Sequence, residues 1–226
     1  MRPVVCVACL ALAGCAATSG DPEVLCSESL DFAGKDPNWF RLDDQLASAT
    51  QPLLFHGHVP GEVLKISTIE RVLLLAQHYR LPIITYDEIA TTHRGALAFA
   101  IDDNAIDDWY ALRPLLAAYN ARFTFFVSRW YEQGPQQIDE LMQLAADGNE
   151  LEPHTVNHLH VLDYVDAHGL DAWLADEVDP SIQVMKDHGL EPHVFAYPFG
   201  ERNDDLDRAM LERVPAVRAT GSHCKR

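Results

Sequence analysis

From Leu53 onward, short apolar runs alternate with amphipathic stretches, and this rhythm admits few architectures. The run ALAFAI (96–101) contains no polar residue, which suits a strand buried on both faces and hence a parallel sheet covered by helices. Other strand candidates are LLFHGHV (53–59), LPIITYDEI from Leu81, RFTFFV from Arg122, residues 150–152, VFAYPFG from Val194 and AVRATG from Ala216. Between them, Val72, Leu73, Ala76 and Tyr79 share a helical face, with Ser67 and Glu70 read as a capping box. Trp109, Leu112, Leu116 and Tyr119 repeat at helical spacing, and further helices are expected over residues 138–145, from Leu170 and over 206–213. Pro180 should break and restart the segment that begins at Leu170. Strands alternating with helices predict a parallel α/β sheet with right-handed crossovers, either open or closed into an incomplete barrel. Catalytic groups then gather at the strands' carboxyl ends.

The chain has 226 residues, 48% of them hydrophobic and 23% charged, so one globular domain of moderate size is expected. Arg2, an apolar run over residues 4–12 and Leu12-Ala13-Gly14-Cys15 form a lipobox. So short a run does not span a bilayer, and it reads as a signal peptide over residues 1–14 with Cys15 as the lipidation site. Ala16 follows the lipidated cysteine, which is compatible with outer-membrane sorting facing the periplasm. Residues 15–52 are polar and punctuated by Gly20, Pro22, Gly34 and Pro37, and read as a tether and N-terminal wrap before a domain over residues 53–226. Once the leader is removed, Cys26 and Cys224 are left as cysteines that can pair in an oxidising compartment. A formal net charge of −17 with no basic run argues against nucleic acid and against direct adhesion to anionic headgroups.

Asp102 and Asp103 end the apolar strand where a parallel sheet builds its site, although such a pair also serves as a helix cap or solvated turn. His154 and His158 follow the strand at Glu150, at a spacing that brings two imidazoles to one side of a helical turn. Together these pairs supply two imidazoles and a carboxylate, a donor set for zinc or a similar divalent ion, and leave the second aspartate free as a base.

At these residues the chain resembles the polysaccharide deacetylase family, carbohydrate esterase family four. AIDDN (100–104) is similar to its T-F-D-D-G, HTVNH (154–158) matches H-[ST]-x-x-H, and YPFG (197–200) is similar to R-x-P-Y-G. FHGHV and ITYDEI resemble the entry segment of biofilm exopolysaccharide deacetylases. The resemblance implies a distorted (β/α) barrel and a hydrolase removing N-acetyl groups from an envelope or extracellular polysaccharide. It makes Asp102 the general base, and it makes Asp103, His154 and His158 ligands of a divalent metal, zinc foremost, with cobalt, nickel or manganese as alternatives. It gives Phe199 a backbone oxyanion contact, and has Tyr197, Pro198 and Phe199 line the sugar site.

Three departures from the family pattern stand out. Asn104 replaces a glycine, and Ala196 stands where the family arginine orients the base, so either another cation orients Asp102 or its pKa sits higher. The late L-x-H motif that carries the family's general acid is absent: His223 is preceded by Gly221 where that motif has leucine. The barrel is then shortened, the chain truncated, or the leaving amine protonated by another group. A glycan-binding lipoprotein on the same scaffold and an O-acetyl esterase are the competing readings.

Overall fold

The structure, a computed structural model, describes residues 24–32 and 34–224. The leader and Cys15 lie outside the described residues. In chain order the elements are β1 (Val24–Ser29), α1 (Trp39–Ala47), β2 (Pro52–His58), α2 (Ile66–His78), β3 (Ile83–Ile84), β4 (Ala96–Asp103), α3 (Ile106–Ala111), α4 (Arg113–Tyr119) and β5 (Thr124–Val127). They continue with α5 (Pro135–Ala146), β6 (Glu150–Pro153), α6 (Val161–His168), α7 (Leu170–Trp173), α8 (Asp179–Asp187), β7 (Val194–Ala196), α9 (Asp204–Leu211) and β8 (Ala216–Thr220).

All the described strand pairings are parallel, in the order β6-β5-β4-β2-β1-β8-β7, with β3 paired to the start of β4. The sheet curls until β6 and β7 face one another without backbone pairing, a barrel with one unsealed seam. Side chains cross that gap. The Glu152 carboxylate accepts the His193 N–H at 2.9 and 3.0 Å, and His154 Nδ1 lies 2.8 Å from the Ala196 carbonyl.

Strand periodicity sorts the chain into two layers. In β4, Leu97, Phe99 and Ile101 pack against the outer helices, whereas Ala96, Ala98 and Ala100 face the barrel interior with Phe126, Val194 and Ala196. Phe195 of β7, Tyr197 just beyond it and Val217 of β8 lie in the outer layer with Trp173, Leu206 and Met210. These small interior residues leave room for the charged side chains described below.

Several expectations are corrected. The segment read as a tether contributes β1, inserted between β2 and β8, and α1, whose Leu42 and Leu46 are buried. The capping box does not form: α2 starts at Ile66, so Ser67 falls inside its first turn and Lys65 at the cap makes no side-chain bond to the helix's first turn. The periodic stretch 109–119 is two helices, interrupted at Leu112 with Pro114 in the first turn of the second. The pairing that the sequence allowed is present: Cys26 of β1 and Cys224 form a disulfide, with Cα atoms 5.6 Å apart.

Candidate metal and catalytic site

The carboxyl ends of β2, β4, β6 and β8 converge on one cluster. Alternation along β4 places Asp102 inside with the three alanines and would send Asp103 outward with Ile101. A left-handed backbone at Asp103, φ 86°, breaks the alternation and lets both carboxylates serve one site. Asp103 Oδ1 lies 3.2 Å from His158 Nε2 and 3.7 Å from His154 Nε2, and those two nitrogens are 3.1 Å apart.

His154 and His158 do not share a helical turn, as their spacing had suggested. They belong to a loop with left-handed residues at Thr155 (φ 68°) and His158 (φ 56°). Glu177, in a π-helical turn over Leu174–Val178, holds that loop: its carboxylate accepts the Asn157 N–H at 2.8 Å and Nδ2 at 2.6 Å, and its carbonyl accepts the Val156 N–H at 3.1 Å.

These residues fit a divalent cation. His154 Nδ1 donates to the Ala196 carbonyl, so Nε2 presents a bare lone pair toward the His158 nitrogen. Burial pushes the His154 pKa down to about 3 and also lowers that of His158, favouring the neutral, ligating form of both. Burial raises the Asp103 pKa, and Asp103 Oδ1 is buried without a hydrogen-bond partner. Two bare imidazole nitrogens and an under-compensated carboxylate within 3.7 Å call for positive charge between them.

Asp102 Oδ2 is hydrogen-bonded by the Arg218 guanidinium, both side chains being almost wholly buried. Arg218 is the register partner of Ala196 on the adjacent strand, so the arginine absent from β7 is supplied by the neighbouring position of β8. Burial alone would raise the Asp102 pKa, but Arg218, then His56, His154 and His58, hold it well below the usual carboxylate range. Of the two alternatives left open by Ala196, the geometry matches the first: another cation, Arg218, contacts Asp102.

On the other side of Asp102 stands His58, its register partner on β2, with Nε2 3.7 Å from Oδ2. Its Nδ1 is 2.6 Å from Asp31 Oδ2, and its N–H donates to Asp31 Oδ1 at 2.8 Å. Burial works against the His58 charge, yet the Asp31 hydrogen bond and the charges of Asp102, Asp31 and Asp103 raise its pKa to about 9. His56, one strand period earlier, is a different case: burial lowers it to about 4, and its Nδ1 meets Ser27 Oγ at 2.9 Å.

Phe199 has a left-handed backbone (φ 57°) and a ring 49% exposed, 4.8 Å from the His158 ring and stacked on His160 at 3.8 Å. Tyr197 and Pro198, expected to line the sugar site, are buried instead. Alternation in VFAY sends Tyr197 into the outer core, where its hydroxyl donates to Asp207 at 3.1 Å. Sequence reasoning did not assign Arg218, His58, Asp31 or Glu177. The first two carried a signal: Arg218 is the lone charge in an apolar strand, and His58 is the second of two histidines at a two-residue interval at a strand's carboxyl end.

Comparison with known proteins gives concordant results. The polysaccharide deacetylase family model matches residues 89–214. A Streptococcus pyogenes deacetylase, PplD, solved with acetate, shares the fold at a TM-score of 0.57 and 16% identity, over 77% of this chain and 93% of that one. IcaB from Ammonifex degensii matches at 0.57 and 18%, over 76% and 85%. The BpsB deacetylase domain from Bordetella bronchiseptica matches at 0.54 and 15%, over 89% and 98%. A gellan lyase from Bacillus sp is 30% identical over 112 residues, half of this chain but 4% of that protein's length. With the family model matching more than half of its length, the chain belongs to the polysaccharide deacetylase family.

Proposed function

We propose that this chain is a metal-dependent hydrolase that removes N-acetyl groups from an envelope or extracellular polysaccharide, with Asp103, His154 and His158 as ligands. The reading is carried by one observation: these three side chains converge beside a carboxylate bonded to a buried arginine, Asp102 with Arg218, and an imidazole bonded to a carboxylate, His58 with Asp31. Two nitrogens and one oxygen suit zinc first, with cobalt, nickel or manganese as alternatives. When bound, such an ion lowers the pKa of water in its open position and polarises the acetyl carbonyl.

Asp102 takes the proton of the attacking water. Arg218 orients it and favours its ionised form. His58 gives a proton to the departing amine, with Asp31 fixing its tautomer and orientation. An amine needs that proton more than an alkoxide does, so the His58–Asp31 pair beside Asp102 supports N-acetyl over O-acetyl hydrolysis. Phe199 lines the sugar site with its exposed ring, and its backbone N–H is the candidate oxyanion contact. The lipobox supports a lipid anchor at Cys15 and residence on the periplasmic face of the outer membrane; Cys15→Ser should release the protein from the membrane fraction.

Acetate release from N-acetylglucosamine oligomers and acetylated xylan, with and without added divalent metal, tests the activity. His154→Ala and His158→Ala should lower bound metal strongly. Asp102→Asn should keep metal near the wild-type level while turnover falls at least about 10²-fold, the low end for general-base assistance. Wild-type protein that releases no acetate with any metal would favour the glycan-binding reading. Equal metal content in wild type and both histidine variants would remove the ligand assignment.

A further inference from the structure

Two loops of the candidate site face one another across the unsealed seam: the one beyond β6 carries His154 and His158, and the one beyond β7 carries Phe199. On the β8 side the Phe199 loop is fixed. Gly200 packs against Thr220 so closely that a Cβ there would overlap it. The Tyr197 hydroxyl and the Arg202 guanidinium both donate to Asp207, so the two ends of the loop converge on one carboxylate. Across the seam there is no strand pairing, and the loop's position rests on side chains. One of these, His160, has no part in the chemistry derived above.

The His160 ring stacks on the Phe199 ring, with centroids 3.8 Å apart and planes within 9° of parallel. Its Nδ1 lies 2.8 Å from Glu201 Oε1, and Glu201 Oε2 accepts the Leu162 N–H of α6 at 3.4 Å. Glu201 follows Phe199 by two residues, so a single loop supplies both the ring against the imidazole's face and the carboxylate at its edge. The ring of His158 meets the same phenyl at 4.8 Å and 63°. Phe199 is thus held between two imidazoles of the opposite loop, while its left-handed backbone leaves it half exposed at the rim. The fold itself makes little use of His160. Its side chain is 52% exposed, and although it stands at the start of α6 it makes no capping bond to that helix. An exposed phenyl without a neighbour on its face is free to change rotamer.

We propose that His160 is a positioning residue for the substrate: clamped by Glu201, it fixes the Phe199 ring in the orientation that packs against the sugar bearing the N-acetyl group. A ring already ordered when the sugar arrives loses no rotamer freedom on binding, and a stacked aromatic pair supplies the restraint. The imidazole does this from the side of the phenyl, without touching the reacting atoms, so its effect falls on binding and not on the chemical step. This proposal rests on the deacetylase reading, in which Phe199 lines the sugar site, and deepens it.

The test uses metal-loaded protein and N-acetylglucosamine oligomers. kcat and KM for acetate release, oligomer affinity by calorimetry and bound metal are measured for wild type, His160→Ala, His160→Phe, Phe199→Ala and the double variant carrying both alanines. His160→Ala should raise KM about two- to tenfold, the range expected for freeing one side chain, with kcat and metal content near wild type. His160→Phe keeps a ring to stack and should restore most of the affinity. In the Phe199→Ala background, His160→Ala should change KM no further, because its effect passes through the phenyl. An unchanged KM in His160→Ala, no rescue by His160→Phe, or losses that add in the double variant overturn the proposal. Loss of metal or a fall in kcat in His160→Ala would make the residue a support of the ligand loop and also overturn it. Absence of acetate from wild type is a failure of the deacetylase reading alone, since the same cycle read as oligomer affinity still decides the role of His160. Wild type that binds no oligomer overturns both.

Discussion

Asp102 is useful as a base only if it stays ionised in a place where burial opposes charge, and Arg218 is the group that makes this so. Deleting one partner of a buried ion pair leaves the other uncompensated, at a cost of about 3–5 kcal/mol. His58, the proposed acid on the opposite side, is tuned by the same means with the opposite sign. His58 is raised from 6.5 to about 9, so it is imidazolium at neutral pH and loses its proton as the pH rises through about 9. The proton-donating form is therefore present below that value, and the basic limb of kcat/KM should lie there. Asp31→Asn removes the hydrogen-bonded anion, lowers the His58 pKa, and should move that limb to lower pH while metal content holds. A limb unmoved by Asp31→Asn would show that another group supplies the proton. Asp102, Asp103, His154 and His158 were legible in the sequence because each pair sits in a short motif. Arg218 and His58 were not, because their meaning lies in register: Ala196 faces Arg218, and His58 faces Asp102, across strands distant in sequence.

Elements carry the site through their ends. β2 and β4 present His58, Asp102 and Asp103 at their last residues and β6 leads straight into His154, whereas Arg218 reaches the site from the middle of β8; the π-helical turn at Leu174–Val178 holds the histidine loop from the outside. Both oxygens of Glu177 are used, one on the Asn157 backbone and one on its side chain. Glu177→Gln keeps the size but turns an N–H₂ group toward one of those donors, leaving a buried donor unmet at about 1–3 kcal/mol. The loop bearing both histidines should then loosen, and metal affinity should fall about 10- to 100-fold, as for other residues that orient ligands. Metal titration beside thermal unfolding tests this: a drop in melting temperature with unchanged affinity would reduce Glu177 to a packing role. The apolar run of β4 made that strand legible, and the alternation in VFAY already contained the outward path of Tyr197. The capping box failed because the motif describes side-chain chemistry, whereas the start of α2 was set by the burial of Ile69, Val72 and Leu73. The π turn has no sequence signature of its own.

At the scale of the whole molecule, the barrel depends on a strand that the sequence rhythm did not reveal. β1 is short and mixed in character, VLCSES, so neither alternation nor an unbroken apolar run announced it. It nevertheless pairs with β2 on one side and β8 on the other, and Asp31, just beyond it, holds His58. A chain beginning at residue 53 would lack both neighbour and partner, leaving a second gap in a sheet that already has one. The Cys26–Cys224 bond ties this strand to the far end of the described chain, across 198 residues of sequence. Closing so long a loop restricts the unfolded chain, and native disulfides of this kind contribute about 2–5 kcal/mol. For a domain of about 200 residues each kcal/mol corresponds to roughly 2–4 °C in melting temperature. Cys224→Ser, or reductant added to the wild type, should therefore lower the melting temperature by about 5–15 °C, and the two treatments together should do no more than either alone. Reductant without effect on the wild type would mean that the bond does not form in the isolated protein, and the anchoring of β1 would then rest on its hydrogen bonds to β2 and β8.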